Sequence, residues 1–294
     1  MPARFEKTSG SFDGFDAKTV YQMVPLGDSR AGLNAVTGDE EGEVTFINPG
    51  VARFGGAKRF DPPSALPFSD TAVRLPPRTR FTFELIGLKP GDTTVVIRDR
   101  AGKALASLLV SVKAQIAKTY SLCRLSDMRR SCPWPAAELR PMMQRVEKTF
   151  LQQANVKLSE KGGVIHEVNI NDRDLGDPLI PERIVQPENE TLNFIILSRS
   201  PIQALASNFT IYFTWDLRAT RKDIVGLNIG QSCYAEFNST NPFENALTTA
   251  HELGHALGLD HTGADTLMAG DGNSRTSTLQ QFEIDTINQT NLSP

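Results

Sequence analysis

His251-Glu252-Leu253-Gly254-His255-Ala256-Leu257-Gly258-Leu259-Asp260-His261 is the stretch from which the rest of this chain is read. Residues four apart share one face of a helix, so His251 and His255 send two imidazoles in the same direction with Glu252 alongside. Gly258 is placed to end that helix in a left-handed conformation, which a residue bearing a Cβ adopts only at a cost. The chain can then turn back and deliver His261 as a third nitrogen. Three protein nitrogens around a tetrahedral ion leave one position for water, the arrangement of a catalytic rather than a structural zinc site. Five fixed positions of this kind arise by chance on the order of once in ten thousand sequences of this length. Three of the four histidines in all 294 residues lie inside this segment.

Seven residues beyond His261 stands Met268, in Thr266-Leu267-Met268-Ala269-Gly270. The segment His251 to His261 together with Met268 resembles the metzincin clan of zinc endopeptidases, and HELGHALGLDH is nearly the matrixin version of its motif. The resemblance implies one catalytic Zn2+ held by His251, His255 and His261, with Glu252 as general base. It also implies that Met268 lies in a tight turn as an apolar floor under the imidazoles, and that extended substrates pair with an edge strand above the helix. Two runs qualify as that strand, Ile224 to Gln231 and Phe209 to Trp215. Ala269 to Thr276, after the methionine turn, is expected to help wall the pocket, which its small and polar residues would leave not deeply aromatic. The chain departs from the clan in two places. Gly270 stands where astacin- and serralysin-like members carry a tyrosine, so no tyrosine ligand or oxyanion helper is assigned. Thr262 stands where matrixins commonly have serine. Asp271-Gly272-Asn273 reads as a turn, and His166, in a strand-like run, as a packed or surface residue.

The elements around the motif read as an α+β domain over residues 115–294. Asn241-Pro242-Phe243-Glu244 opens the motif helix, with Asn241 as N-cap, Pro242 at the first helical position and Glu244 at the reciprocal capping site. Lys118 to Leu122 is a strand candidate. Pro135 to Ala154 is a helix whose stripe is Leu139, Met142, Met143, Val146 and Phe150. Strands are expected at Val164 to Ile170, Leu192 to Leu197, Phe209 to Trp215 and Ile224 to Phe237. A last helix is expected from Thr278 to Asn288, with Leu279, Phe282 and Ile287 on one side.

Residues 18–114 read as all-β behind an N-terminal arm, residues 1–17. Short alternating runs occur at Val44 to Ile47, Phe81 to Leu85, Thr94 to Ile97 and Leu108 to Val112, separated by turn residues. One apolar face per strand is what a two-sheet sandwich demands. Asp61-Pro62-Pro63 and Pro76-Pro77 mark loops, because proline lacks the ladder donor. Gly87 to Val112, GLKPGDTTVVIRDRAGKALASLLVSV, resembles bacterial immunoglobulin-like modules of surface and secreted proteins. The fold expected is therefore an immunoglobulin-like β-sandwich followed by a metzincin-like catalytic domain.

Composition narrows the setting. Thirty-one basic against thirty-four acidic residues give a formal charge of −3, without the basic footprint of a nucleic-acid binder. The longest apolar stretch, Leu105 to Val112, is far below the ~20 residues of a membrane span. Cys123, Cys132 and Cys233 are too few for a disulfide scaffold, though Cys123 and Cys132 are spaced to allow a local bridge. The N-terminus lacks the apolar core of a secretory signal. The expectation is a zinc endopeptidase acting on protein or peptide substrates. It is expected to be exported without such a signal, as a bacterial effector or toxin does, with a protein inhibitor as a further partner, or else to be cytoplasmic. Two alternatives use the same residues: a zinc amidase on cell-wall peptides, and a binding protein whose β-sandwich is the working part.

Overall fold

A computed structural model describes residues 2–8, 15–27, 30–58, 69–172, 174–176, 179, 192–217, 226–236, 242–263, 265–270 and 274–291. No helix among them is long and apolar enough to cross a membrane. The chain is mostly β-sheet and forms two compact units.

The first unit takes residues 1–116, 151–156 and 279–288. Among the described residues its strands are β1 (Arg4–Lys7), β2 (Phe15–Asp16), β3 (Tyr21–Pro25), β4 (Arg30–Val36), β5 (Gly42–Phe46), β6 (Ala52–Lys58), β7 (Ala72–Leu75), β8 (Arg80–Gly87), β9 (Gly91–Arg98) and β10 (Ala104–Lys113). They make a four-stranded sheet, β1-β4-β8-β6, and a six-stranded sheet, β2-β3-β10-β9-β5-β7. Alternation explains the pairing of faces: in β8, Phe83 and Leu85 are fully buried while the residues between them are partly exposed. The inner faces meet where Phe54 of β6 packs against Phe46 of β5, with ring centroids 4.6 Å apart, and against Phe83.

Two described stretches of the expected N-terminal arm are strands. Phe5 is buried and β1 pairs antiparallel with β4, while β2 pairs with β3. Four-residue and two-residue strands are too short for a period of two to register in the sequence. Asp16 is buried and accepts hydrogen bonds from the Lys18 and Gln281 backbone N–H groups and from Thr19 Oγ1. The expected loop at Asp61-Pro62-Pro63 lies outside the described residues.

The second unit takes residues 117–150, 157–278 and 289–294. Its five strands, β11 (Ile116–Asp127), β12 (Val156–Ile170), β13 (Phe209–Thr214), β14 (Gly226–Ile229) and β15 (Ser232–Glu236), stand in the order β12-β11-β13-β15-β14. β13 runs parallel to both β11 and β15, and β14 closes one edge antiparallel to β15. Among the described residues its helices are α1 (Ala136–Ala154), of which residues 151–154 belong to the first unit, α2 (Leu192–Arg199), α3 (Ile202–Leu205) and α4 (Pro242–Ala256), while α5 (Gln281–Asn291) belongs to the first unit through residue 288. Leu139, Met142, Met143, Val146 and Phe150 of α1 are all buried, as their helical spacing predicts.

Three expectations are corrected. Leu192 to Leu197 is helical, not a strand: Leu192, Ile195 and Ile196 are buried at helical spacing, while Phe194 is exposed. Short apolar runs do not distinguish the two periods. Ile224 to Phe237 is not one strand, because Gly230 turns at φ +59° and folds it into the β14–β15 hairpin. In α5, Leu279 just before the helix and Ile287 are buried as expected, but Phe282 is half-exposed and Ile284 takes the inward position. All three cysteines are free and buried, so Cys123 and Cys132 form no bridge.

Candidate metal centre

Helix α4 is buried along most of its length, from Asn245 through Gly254 except for Leu247. It ends as the sequence requires. Gly258 adopts φ +95°, its N–H reaches the His255 carbonyl at 2.9 Å, and the Leu259 N–H reaches the Gly254 carbonyl at 3.0 Å. This reciprocal pair is the Schellman closure. It reverses the chain and brings His261 back over the helix. The expected N-cap, Asn241, lies outside the described residues.

The result is a near-equilateral triangle: the Nε2 atoms of His251, His255 and His261 lie 3.2 Å from one another along all three edges. The tautomers of two rings follow from their partners. His251 Nδ1 lies 2.9 Å from the Leu267 carbonyl oxygen, and His255 Nδ1 lies 2.7 Å from that of Leu259. A carbonyl only accepts, so each Nδ1 carries the proton and each Nε2 presents a lone pair. Lone pairs converging at 3.2 Å repel one another unless a cation lies among them. Zinc–nitrogen bonds of about 2.0–2.1 Å at tetrahedral angles place ligand nitrogens about 3.3–3.4 Å apart, so the donor set fits that ion.

Burial, then the charge of Arg275, holds the His251 imidazole down at about 3, and burial lowers His255 as well. Both are therefore neutral, as ligation requires. Glu252 is 4% exposed, and burial pushes its carboxyl up to about 8, with Arg275 opposing. Room for it comes from Gly226 of β14, where a Cβ would stand 2.8 Å from Glu252 Cδ.

Met268 is fully buried beneath the helix. A Cβ on Gly254 would overlap its sulfur, so the glycine inside the motif is what admits the methionine. The turn that holds it is tied by Thr262 N–H to the Met268 carbonyl at 2.8 Å, Leu267 N–H to the Thr278 carbonyl at 2.8 Å, and the Thr262 and Thr266 hydroxyls at 2.6 Å. The same turn supplies the Leu267 carbonyl that orients His251. His166 lies on β12 and is not among the clustered ligands. The expected turn at Asp271-Gly272-Asn273 lies outside the described residues.

The two edge-strand candidates differ in their place in the sheet: Phe209 to Trp215 contains β13, and the described part of Ile224 to Gln231 contains β14. β13 is flanked by β11 and β15 and every residue in it is buried, whereas β14 is the edge and all its residues are partly exposed. Two site contacts were missed from sequence. Gly226 gives no local signal, since its use is space for a carboxylate 26 positions away. Arg275 places Nη2 3.3 Å from His251 Nε2 and donates Nε–H to the Ala269 carbonyl at 3.1 Å. Arg275 falls within the expected pocket wall, Ala269 to Thr276, but nothing near it marks its approach to His251, 24 residues upstream.

No protein-family description matches the chain, and no curated protein matches it. Among solved structures it is similar to domains 4 and 5 of the S-layer protein SbsC, at 17% identity and TM-score 0.21, over 32% of this chain and 41% of that one. It is also similar to a longer SbsC fragment, rSbsC(31-844), at 19% identity and TM-score 0.22, over 33% of this chain and 12% of that one. A third is WR4, an MSP family member of C. elegans, at 10% identity and TM-score 0.22, over 34% of this chain and 97% of that one. The chain thus spans less than half of either S-layer structure.

Proposed function

We propose that the chain is a zinc-dependent endopeptidase of the metzincin type, with an immunoglobulin-like β-sandwich as its first unit. The observation that carries this reading is the 3.2 Å triangle of imidazole nitrogens with a buried carboxylate on the adjacent residue. His251, His255 and His261 would hold the ion. When bound, zinc supplies a Lewis acid and lowers the pKa of a water ligand by many units.

The chain's own residues do the rest. Leu267 and Leu259 fix the two rings through their carbonyls, so the site is shaped before a ligand arrives. Glu252 takes the proton from the attacking water at a carboxylate oxygen, then returns it to the departing amide nitrogen. An extended peptide pairs through its backbone with the outer edge of β14, beside Gly226 and above Glu252. Backbone pairing supplies binding without dictating sequence, which suits a protein substrate.

The test is cleavage of casein and of purified cell wall, each with and without a chelator. Protein cleavage that the chelator abolishes supports the peptidase, whereas release of cell-wall fragments alone supports the amidase alternative. Glu252→Gln should keep its zinc and lose at least about a hundredfold in turnover. Near wild-type turnover in that variant overturns the assignment.

A further inference from the structure

Asn228 stands on β14 two residues beyond Gly226, so the two share one face of the strand. That face meets Glu252, because the Cβ that Gly226 lacks would point at its carboxylate. Leu227 and Ile229 take the other face and pack against the apolar cluster that holds Tyr212 and Tyr234. The side-chain amide of Asn228 has a fixed orientation. Its Nδ2 lies 3.2 Å from the Gly230 carbonyl oxygen, 3.3 Å from that of Ser232 and 3.4 Å from Cys233 Sγ. Carbonyl oxygens only accept, so the nitrogen and not the oxygen of the amide occupies this place. All three partners belong to β15 or to the turn that leads into it. Nδ2 is thus engaged toward β15, which leaves Oδ1 for the outer edge. Among the described residues Oδ1 accepts no hydrogen bond, and it is not buried.

We propose that Asn228 is a specificity-determining residue: its Oδ1 selects substrates that carry a hydrogen-bond donor at one fixed position of the extended peptide. The proposal rests on the peptidase reading given above. Residues directly opposite one another in paired strands put their side chains on one face, with Cβ atoms about 4.5–5.5 Å apart. Cys233 is that neighbour of Asn228 on β15. A peptide on the outer edge of β14 supplies the other. A side chain there that offers N–H or O–H meets an acceptor already oriented for it. A carboxylate has no proton to give and sets its charge against the amide oxygen. An aliphatic side chain displaces water from Oδ1 and returns no hydrogen bond. The substrate class is therefore a protein segment with an amide, hydroxyl or ammonium group at this position, and not an acidic one.

The experiment scans a fluorogenic peptide, with Gln, Glu and Leu at each position in turn, on the zinc-loaded full chain. At one position the wild type should favour Gln over Leu by about three- to tenfold in kcat/KM, the scale of one hydrogen bond, and Gln over Glu by at least as much. Asn228→Ala should erase both preferences at that position and keep the ratios at every other. Asn228→Asp should favour Lys there over Gln. A variant that only loosens the hairpin slows all peptides alike, so unchanged ratios in the two variants overturn the proposal. A wild-type scan without such a position overturns it whatever the variants do. Zinc-loaded Glu252→Gln, which should bind without cleaving, gives a readout apart from turnover: fluorescence anisotropy should show the same order of Gln over Glu in Kd, and equal Kd values count against the proposal. If the wild type cleaves no peptide, the peptidase reading fails and takes this proposal with it. Cleavage whose ratios ignore Asn228 removes this proposal alone.

Discussion

The sulfur of Met268 occupies the notch left by Gly254, in the last turn of the helix that carries His251 and His255. Met268 and the helix that carries two of the three clustered histidines are therefore one packed body. Gly254→Ala should drive the sulfur away or bow the helix, at about 1–3 kcal/mol, the usual cost of overpacking a core. Denaturant unfolding of the second unit checks the loss, and competition with a chromogenic chelator should show weaker zinc binding. Wild-type zinc affinity in a destabilised variant would separate the floor from the ligands.

Gly226 and Glu252 make a second pair of this kind, on different elements. Gly226→Ala would bring a Cβ to 2.8 Å from Glu252 Cδ and displace a carboxylate that has little room to move. Turnover should fall by at least about tenfold, since a general base works only within hydrogen-bond reach of its proton. Zinc stoichiometry should stay at that of wild type, which metal analysis of the dialysed variant checks.

How much of this was legible beforehand differs residue by residue. His251, His255, His261 and Gly258 could be read because ligand spacing and helix termination are local properties of one segment. Met268 was reachable only through resemblance, since nothing in its neighbours announces a floor. The room that Gly226 leaves for Glu252 and the approach of Arg275 to His251 are tertiary relationships, which leave no mark in a single sequence. The same division holds for the fold. α1 declared its face through five apolar residues at helical spacing, whereas α2 offered a short run that fits either period. β1 reads as an arm until β4 is placed beside it.

Burial should silence the thiols. Cys123 is pushed up to about 12 by burial, with Glu167 adding to the shift, and burial raises Cys132 and Cys233 as well. A raised thiol pKa favours the protonated form in the folded chain. The associated stability is fully present below the unfolded value of 9.0 and is lost as pH rises through the folded values. At about pH 8, alkylation by iodoacetamide should be far slower in the native chain than in denaturant, because the thiolate is the reactive form. A fast-reacting thiol in the native chain, or a mobility shift on reduction, would contradict the buried free cysteines.

Zinc should stabilise the unit that holds it. Free metal at about a thousandfold above its Kd adds about 4 kcal/mol to unfolding by mass action. Calorimetry with zinc and with chelator should therefore move the transition of the second unit upward when zinc is present. Equal transitions in both conditions would mean that the imidazoles hold no ion in solution.

X-ray absorption at the zinc edge, on the full chain loaded with one equivalent and dialysed, bears most directly on all of this. The expected spectrum has a first shell of three nitrogens and one further light atom at about 2.0–2.1 Å, with the outer-shell pattern of imidazole. His261→Ala should lose one imidazole from it. A sulfur in the first shell, fewer than three imidazoles in the wild type, or no retained zinc would contradict the three-histidine centre.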